Sequence, residues 1–282
     1  MSEYISEKVT PTTDVRIIQV KPIERSLYRS YDAYNQSFIK LVNEHGLNMA
    51  NKLVAEREEP TDDMIIGSVF HAILSGDESA YMRVPKLDRR TKDGKAAYES
   101  MMSLAHENGK TMVQEHLWDK AASLVDGAKS VVDQAVEMYN MMEVREHSLI
   151  GLAEVIRDDQ ILFSLPIKGQ LDHIMKNDER ALLIDYKTAP SSTYEAVRRK
   201  ARDSHWPLQA FVYSQLMRAK MGMPEIMYVV SGKDTGASRA YTFSTESLDV
   251  GRAEFIKGLI RIHNQKSNPL VSDDAYFGVS VL

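Results

Sequence analysis

Residues 167–188 read IKGQLDHIMKNDERALLIDYKT, and the fold follows from how this stretch divides. Ile167 to Met175 is a strand-like run, Lys176-Asn177-Asp178-Glu179 is a polar turn, and Ala181-Leu182-Leu183-Ile184 restarts apolar. That is the pattern of a β-hairpin. Adjacent strands bring Asp172 and Asp185 together. The apolar residues before Asp185 bury its strand, and an ionised carboxylate at the end of a buried strand is costly unless a cation or a donor compensates it. A divalent metal meets that need. Hard Mg²⁺ takes oxygen ligands and keeps several waters, which leaves room for a phosphate oxygen and an attacking water. Lys187 shares the strand face of Asp185, because side-chain direction alternates with period two. Its ammonium can orient the water or stabilise charge on a phosphate. An isolated Asp-x-Lys is most often a surface ion pair; the apolar lead-in and the Asp on the preceding strand argue for more.

The 282 residues suit one large domain, or a compact core with a helical extension. There is no apolar run of about 18 residues. The opening MSEYISEKVTPTTD lacks the basic and apolar regions of a signal peptide. No membrane span is expected, and the default setting is cytoplasmic, in a bacterial or phage-infected cell. Zero Cys excludes disulfides, zinc–thiolate sites, iron–sulfur clusters and cysteine nucleophiles together. With a formal net charge of −5, any contact with nucleic acid has to come from local Lys/Arg clusters.

Along the chain, residues 1 to about 20 read as an arm or a short strand. The spacing of Leu27, Tyr31, Tyr34, Phe38, Leu41 and Val42 predicts helix from Ile23 to Glu56, with Gly46 a break. Thr61 caps a helix that stops at Gly76 and carries Gly67 and His71. Gly67 in a helix interior costs about 1 kcal/mol relative to Ala, so close approach to another element or to a ligand is expected there. Arg89, Arg90, Lys92 and Lys95 form a basic loop entering a helix; such a run is usually solvated, and it also suits phosphate. Long helical patterns run from Thr111 to Arg145. From Ser148 the period changes to a meander, LIGLAEVIR, DDQ, ILFSLPIKGQLDHIM, with Glu154 among apolar neighbours in its first strand. Ser192 and Glu195 have capping-box spacing for a helix whose Arg198, Arg199, Lys200 and Arg202 make a cationic patch. On the amphipathic helix His205 to Met217, Gln209 and Tyr213 share a face. Two further strands, Ile226 to Val230 and Arg239 to Phe243, precede a helix over 246–265. The expected organisation is an N-terminal arm and helical region over 1–60, a core over 61–266 with a helical insertion at about 90–145, and a tail over 267–282. Strands flanked by helices give an α/β or α+β fold.

Gly67-x-x-x-His71, Gly169-x-x-Asp172, Asp185-x-Lys187-Thr188 and Gln209-x-x-x-Tyr213 occur in one order at plausible separations. Together the set resembles the PD-(D/E)XK nuclease superfamily, in its RecB-like branch. GSVFHAIL, DRRTKDGKAAY, Ala153-Glu154, DYKT and QAFVY look like the nuclease domain of the phage-type exonuclease VIII (RecE) enzymes, over about residues 60 to 220. The resemblance implies a restriction-endonuclease-like core, a mixed central sheet flanked by helices. It implies a metal-dependent exodeoxyribonuclease that degrades double-stranded DNA from its ends, 5′→3′, in phage-type recombination. By position, His71, Asp172 and Asp185 look like metal ligands, joined by the backbone carbonyl of Tyr186. Lys187 resembles the catalytic lysine, and Glu154 an acidic residue acting near the site through water. Gln209 and Tyr213 resemble the motif that contacts the DNA end, and Arg89 and Arg90 would lie nearby. The implied cofactor is Mg²⁺, with Mn²⁺ as substitute; the implied partners are DNA ends, a single-strand annealing protein and further copies of the chain. The frequent Pro before the first Asp is Leu171 here, and the cysteines of iron–sulfur relatives are absent. Two alternatives stay open: an endonuclease or single-strand nuclease of the same fold, and an inactive DNA-binding module. The latter would have lost a carboxylate or the lysine, and all are present.

Overall fold

The computed structural model of the chain describes residues 5–56, 59–88, 90–139, 141–178 and 180–267. Arg89 and the tail beyond residue 267 lie outside them. The N-terminal stretch forms a full strand, β1 (Thr13–Ile23), followed by a short 3-10 turn (Arg25–Leu27) and helices α1 (Gln36–His45) and α2 (Leu47–Ala55). Next come α3 (Asp62–Ser75), β2 (Tyr81–Val84), α4 (Lys92–Glu107), β3 (Thr111–Gln114), α5 (Glu115–Ala122) and α6 (Val125–Tyr139). The long strands β4 (Met142–Arg157), β5 (Gln160–Lys176) and β6 (Ala181–Ala189) follow. Then α7 (Tyr194–Asp203), α8 (Trp206–Met221), β7 (Glu225–Gly232), β8 (Ser238–Tyr241) and α9 (Thr245–Ser267) complete the order.

Six strands form one mixed sheet in the order β1-β4-β5-β6-β7-β8, in which only β6 and β7 run parallel. The β4–β5 hairpin closes on Asp158 and Asp159, at φ 51° and 62°. Two successive residues in the left-handed region make the turn that matches strand twist, and Asp tolerates it better than bulkier side chains do. One face of the sheet packs on α1, α2, α8 and α9 around Leu183, Leu208, Phe255 and Leu259. The other packs on α3, α5 and α6 around Phe70, Leu124, Ile184 and Val229. Strand β6 is thus buried on both faces, which is why it reads as an unbroken apolar run. Among the described residues no helix is long and apolar enough to cross a membrane.

Three local expectations are corrected. Helix does not run from Ile23: α1 starts at Gln36, where the Asn35 side chain accepts from the Phe38 amide at 2.9 Å. The residues before it spend their backbone groups on β5 instead, Tyr34 N donating to Pro166 O and Lys168 N to Tyr34 O, each at 2.9 Å. The pattern from Thr111 to Arg145 begins as strand β3, paired in parallel with β2, and gives way to β4 at Met142. A strand this short shows no period that a helix would not also show. Finally, the capping box at Ser192 does not form. Thr193 is the cap of α7, without a side-chain bond, and the buried Ser192 lends its carbonyl to the Tyr241 hydroxyl at 2.6 Å.

Candidate active site

The hairpin sets the site. Strands β5 and β6 pair from Lys176↔Ala181 up to His173↔Ile184, and there the ladder ends. The next facing positions are Asp172 and Asp185. Instead of continuing the ladder, Tyr186 donates its amide to Asp172 Oδ2 at 3.0 Å. Strand β6 goes on alone with β7, paired from Leu182↔Glu225 to Ala189↔Gly232. The two carboxylates therefore stand at the point where neighbouring strands part, with α3 on one face and α8 on the other.

Asp185 is 2% exposed. Gln209 Nε2 donates to its Oδ1 at 3.0 Å, and Gln209 is itself held by the Tyr228 hydroxyl at 3.3 Å. Lys187 makes an ion pair with Oδ2 and lies over the Tyr228 ring, 5.4 Å from its centroid. Apart from that ammonium, the buried Oδ2 has no partner among the described residues. Burial pushes the Asp185 carboxyl up to about 6; Lys187 opposes the shift and the nearby Asp172 adds to it. His71, on α3, places Nδ1 3.4 Å from Asp172 Oδ2. Phe70, beside it, meets the Tyr186 ring edge-on and packs α3 against β6, and the Tyr186 hydroxyl bonds His173 Nδ1 at 2.8 Å. Burial, reinforced by Asp185, holds the Tyr213 hydroxyl well above the ordinary tyrosine range, so it remains a protonated donor.

A cleft of about 1430 Å³ opens beside them, lined by Gly67, His71, Asp172, Tyr186, Lys187 and Tyr213 among others, with Asp185, Gln209 and Tyr228 buried behind the lining. Among the described residues, no three His, Asp or Glu side chains already stand grouped as a metal cage. The donor set nevertheless fits a divalent cation: two carboxylates repel each other with the single ammonium of Lys187 beside them, and an imidazole stands beside Asp172.

Not every expected residue arrives there. Glu154 pairs with Arg16 of β1 at 2.6 Å and faces Ser164 across β5. That is eight residues along the strand from Asp172, roughly 26 Å at about 3.3 Å per residue. Its burial among apolar neighbours reflects an edge ion pair rather than the cleft. Of the α7 cations only Lys200 lines the cleft; Arg198 leans on Glu195 at 3.8 Å and Arg202 on Asp203 at 3.1 Å, while Arg199 is exposed elsewhere. Arg90 folds back on Asp88 at 2.9 Å, outside the lining. The structure adds Arg25, Arg29, Lys129 and Lys233 to the lining. They are scattered singly through the sequence and carry no motif. Tyr228 had a signal, being the one polar side chain within the apolar run Ile226 to Val230.

Residues 30–275 match a family described as "PDDEXK-like domain of unknown function (DUF3799)". No curated protein matches the chain. Among solved structures, one titled "Crystal structure of SSO0001" is 14% identical, with 85% of this chain and 95% of that one covered, at a TM-score of 0.28. Another, Scheffersomyces stipitis Rai1 in complex with (3'-NADP)+ and calcium ion, is 9% identical, with 94% and 86% covered, at a TM-score of 0.33.

Proposed function

The chain belongs to this PDDEXK-like family, and on that premise we propose that it is a divalent-metal-dependent deoxyribonuclease of the exonuclease VIII type. It degrades double-stranded DNA from its ends, 5′→3′, and works in the cytoplasm beside a single-strand annealing protein, as a homo-oligomer. The observation that carries this reading is the gathering of Asp172, Asp185 and Lys187 at one parting of strands, Asp172 and Lys187 lining the cleft and Asp185 buried behind them with Lys187 as its counter-ion.

Asp172, Asp185 and His71 would hold the metal, with the Tyr186 carbonyl. Mg²⁺ suits the oxygen donors, and the borderline imidazole makes Mn²⁺ a substitute. A bound cation supplies Lewis acidity toward a phosphate oxygen and lowers the pKa of a water. The protein's own groups do the rest. Gln209, held by Tyr228, fixes one oxygen of Asp185 so that the other keeps its aim. Lys187 puts an ammonium where negative charge grows on the phosphate. Tyr213, buried and protonated, borders the cleft as a donor for the DNA end.

The test is digestion of end-labelled duplex, linear and covalently closed, with Mg²⁺ and with EDTA. Metal-dependent loss of label from linear DNA alone is expected. Cutting of the closed circle would make the protein an endonuclease, and binding without any hydrolysis would make it a DNA-binding module.

A further inference from the structure

Six Lys and Arg residues line the cleft of a protein whose net charge is −5. Three of them are already engaged. Arg25 pairs with Asp77 at 2.8 Å, Lys233 with Asp63, and Lys187 with Asp185. The other three, Arg29, Lys129 and Lys200, are exposed and have no ion pair with any described residue. They come from three separate walls: the turn after β1, helix α6 and helix α7. Other exposed cations, Lys86, Lys110 and Arg199 among them, also lack an ion pair with a described residue; these three differ in lining one opening together with Asp172 and Lys187, a placement that suits an anion arriving from outside. With six cations against three aspartates, Asp63, Asp77 and Asp172, in the lining, the balance is positive, and low-dielectric walls focus that field into the opening. A small anion would call for one focus with buried donors, whereas spaced, solvent-facing cations around a wide cleft match a chain of phosphates.

We infer that Arg29, Lys129 and Lys200 form the phosphate track that leads duplex DNA to Asp172 and Lys187, and that the outer face of α7 does not. The inference rests on the nuclease reading above for its substrate. Phosphate contacts position the duplex and carry no sequence information. Each one made also releases counterions, so each one lost makes the salt dependence of binding shallower, by about 0.9 in slope for duplex DNA.

The experiment is a salt titration of binding to a labelled blunt duplex of about 30 base pairs in EDTA, so that hydrolysis plays no part. It compares the full-length protein, the triple variant Arg29→Gln, Lys129→Gln, Lys200→Gln, and the pair Arg198→Gln, Arg202→Gln. All five side chains are exposed, and melting curves confirm that each variant is folded. The triple variant is expected to bind more weakly at low salt, with a slope shallower by about 2.7. Between about 50 and 200 mM salt its affinity then falls about fortyfold less than that of the parent protein. The α7 pair is expected to follow the parent. An unchanged slope in the triple variant, or an equal loss in the α7 pair, overturns the track, as does a parent protein that fails to bind the duplex. Digestion of the same duplex with Mg²⁺ is read separately. Hydrolysis with an unchanged slope removes the track alone, and the expected slopes without hydrolysis remove the nuclease alone.

Discussion

On the proposed nuclease reading, Asp185 joins stability and chemistry in one side chain. Its carboxyl is raised to about 6 by burial, against an ordinary value of 3.8. A raised carboxyl binds its proton more tightly in the folded than in the unfolded state. Its contribution to stability is therefore complete below about pH 4 and is lost as pH rises through about 6. The loss amounts to roughly 3 kcal/mol. In EDTA, Asp185→Asn should remove that decline, so its urea-unfolding stability at pH 7 to 8 exceeds the parent's, while at pH 4 the two converge. Equal pH profiles would mean that Lys187 and Gln209 compensate the charge completely. Without the carboxylate, however, hydrolysis should stop: Asp172→Ala, Asp185→Ala and Lys187→Ala are each expected to abolish cleavage in a folded protein, because each removes a charge needed by the metal or by the phosphate. A well-folded Asp185→Ala protein that cuts normally would end the nuclease reading. His71→Ala should raise the Mg²⁺ or Mn²⁺ concentration needed for half-maximal cleavage more than it lowers the melting temperature. The reverse outcome would make His71 a packing residue.

Between elements, three glycines show how closely the site is supported. Gly169 on β5 faces α8; a Cβ there would stand 2.6 Å from Leu216 Cδ1 and 3.1 Å from Tyr213 Cε1, both in the buried interior. Gly169→Ala should cost about 1–3 kcal/mol by overpacking and displace Tyr213 from the cleft, measurable as lower stability together with weaker binding of DNA ends. Gly251 lets α9 cross the start of α8 so closely that a Cβ would lie 2.1 Å from the Pro207 carbonyl oxygen. Backbone cannot yield as a side chain does, so Gly251→Ala should be the more damaging of the two. Gly67 differs. Its Cβ would meet Thr188 Oγ1 at 3.5 Å, an ordinary contact, so close approach to another element is not required there; Gly67 lines the cleft, and the approach of a ligand is the reading left. Gly67→Ala should leave α3 intact and stabilise it by up to about 1 kcal/mol, read as a higher melting temperature. The strap between β1 and α1 depends on a different device. Lys168, buried on β5, donates to the carbonyls of Tyr28 and Tyr31 at 2.9 and 2.7 Å, and this holds Arg29 at the cleft.

Across the whole molecule, charge is distributed so that α3 ties itself over the cleft by both ends, through Asp63 to Lys233 and through Asp77 to Arg25. Each pair has a solvent-exposed aspartate, so it is worth no more than about 1 kcal/mol, and the apolar packing of Ile66, Val69 and Phe70 holds the helix without them. Asp63→Asn with Asp77→Asn should therefore unmask two cations at little cost in stability. Duplex binding is expected to tighten at low salt and its salt slope to steepen by up to about 1.8; an unchanged slope would place both cations off the DNA path. The local order of residues settled more of this protein than its global shape. The period-two runs, the polar turn at 176–179 and the apolar lead into Asp185 determine the hairpin, because strand direction and burial are local properties of the chain. The spacing of Asp185 and Lys187 puts them on one face for the same reason, and Gln209 and Tyr213 on theirs. Folding alone decided three things. It chose where β5 and β6 part, because the segment at Tyr34 takes the backbone groups of Pro166 and Lys168 on β5 beyond the ladder. It sent Glu154 to Arg16, since a buried carboxylate takes whichever cation the neighbouring strand offers. It gathered Arg29, Lys129 and Lys200 around one opening, a convergence of residues about 70 to 170 positions apart that no local spacing can express, because electrostatic focusing depends on distance through space and not along the chain.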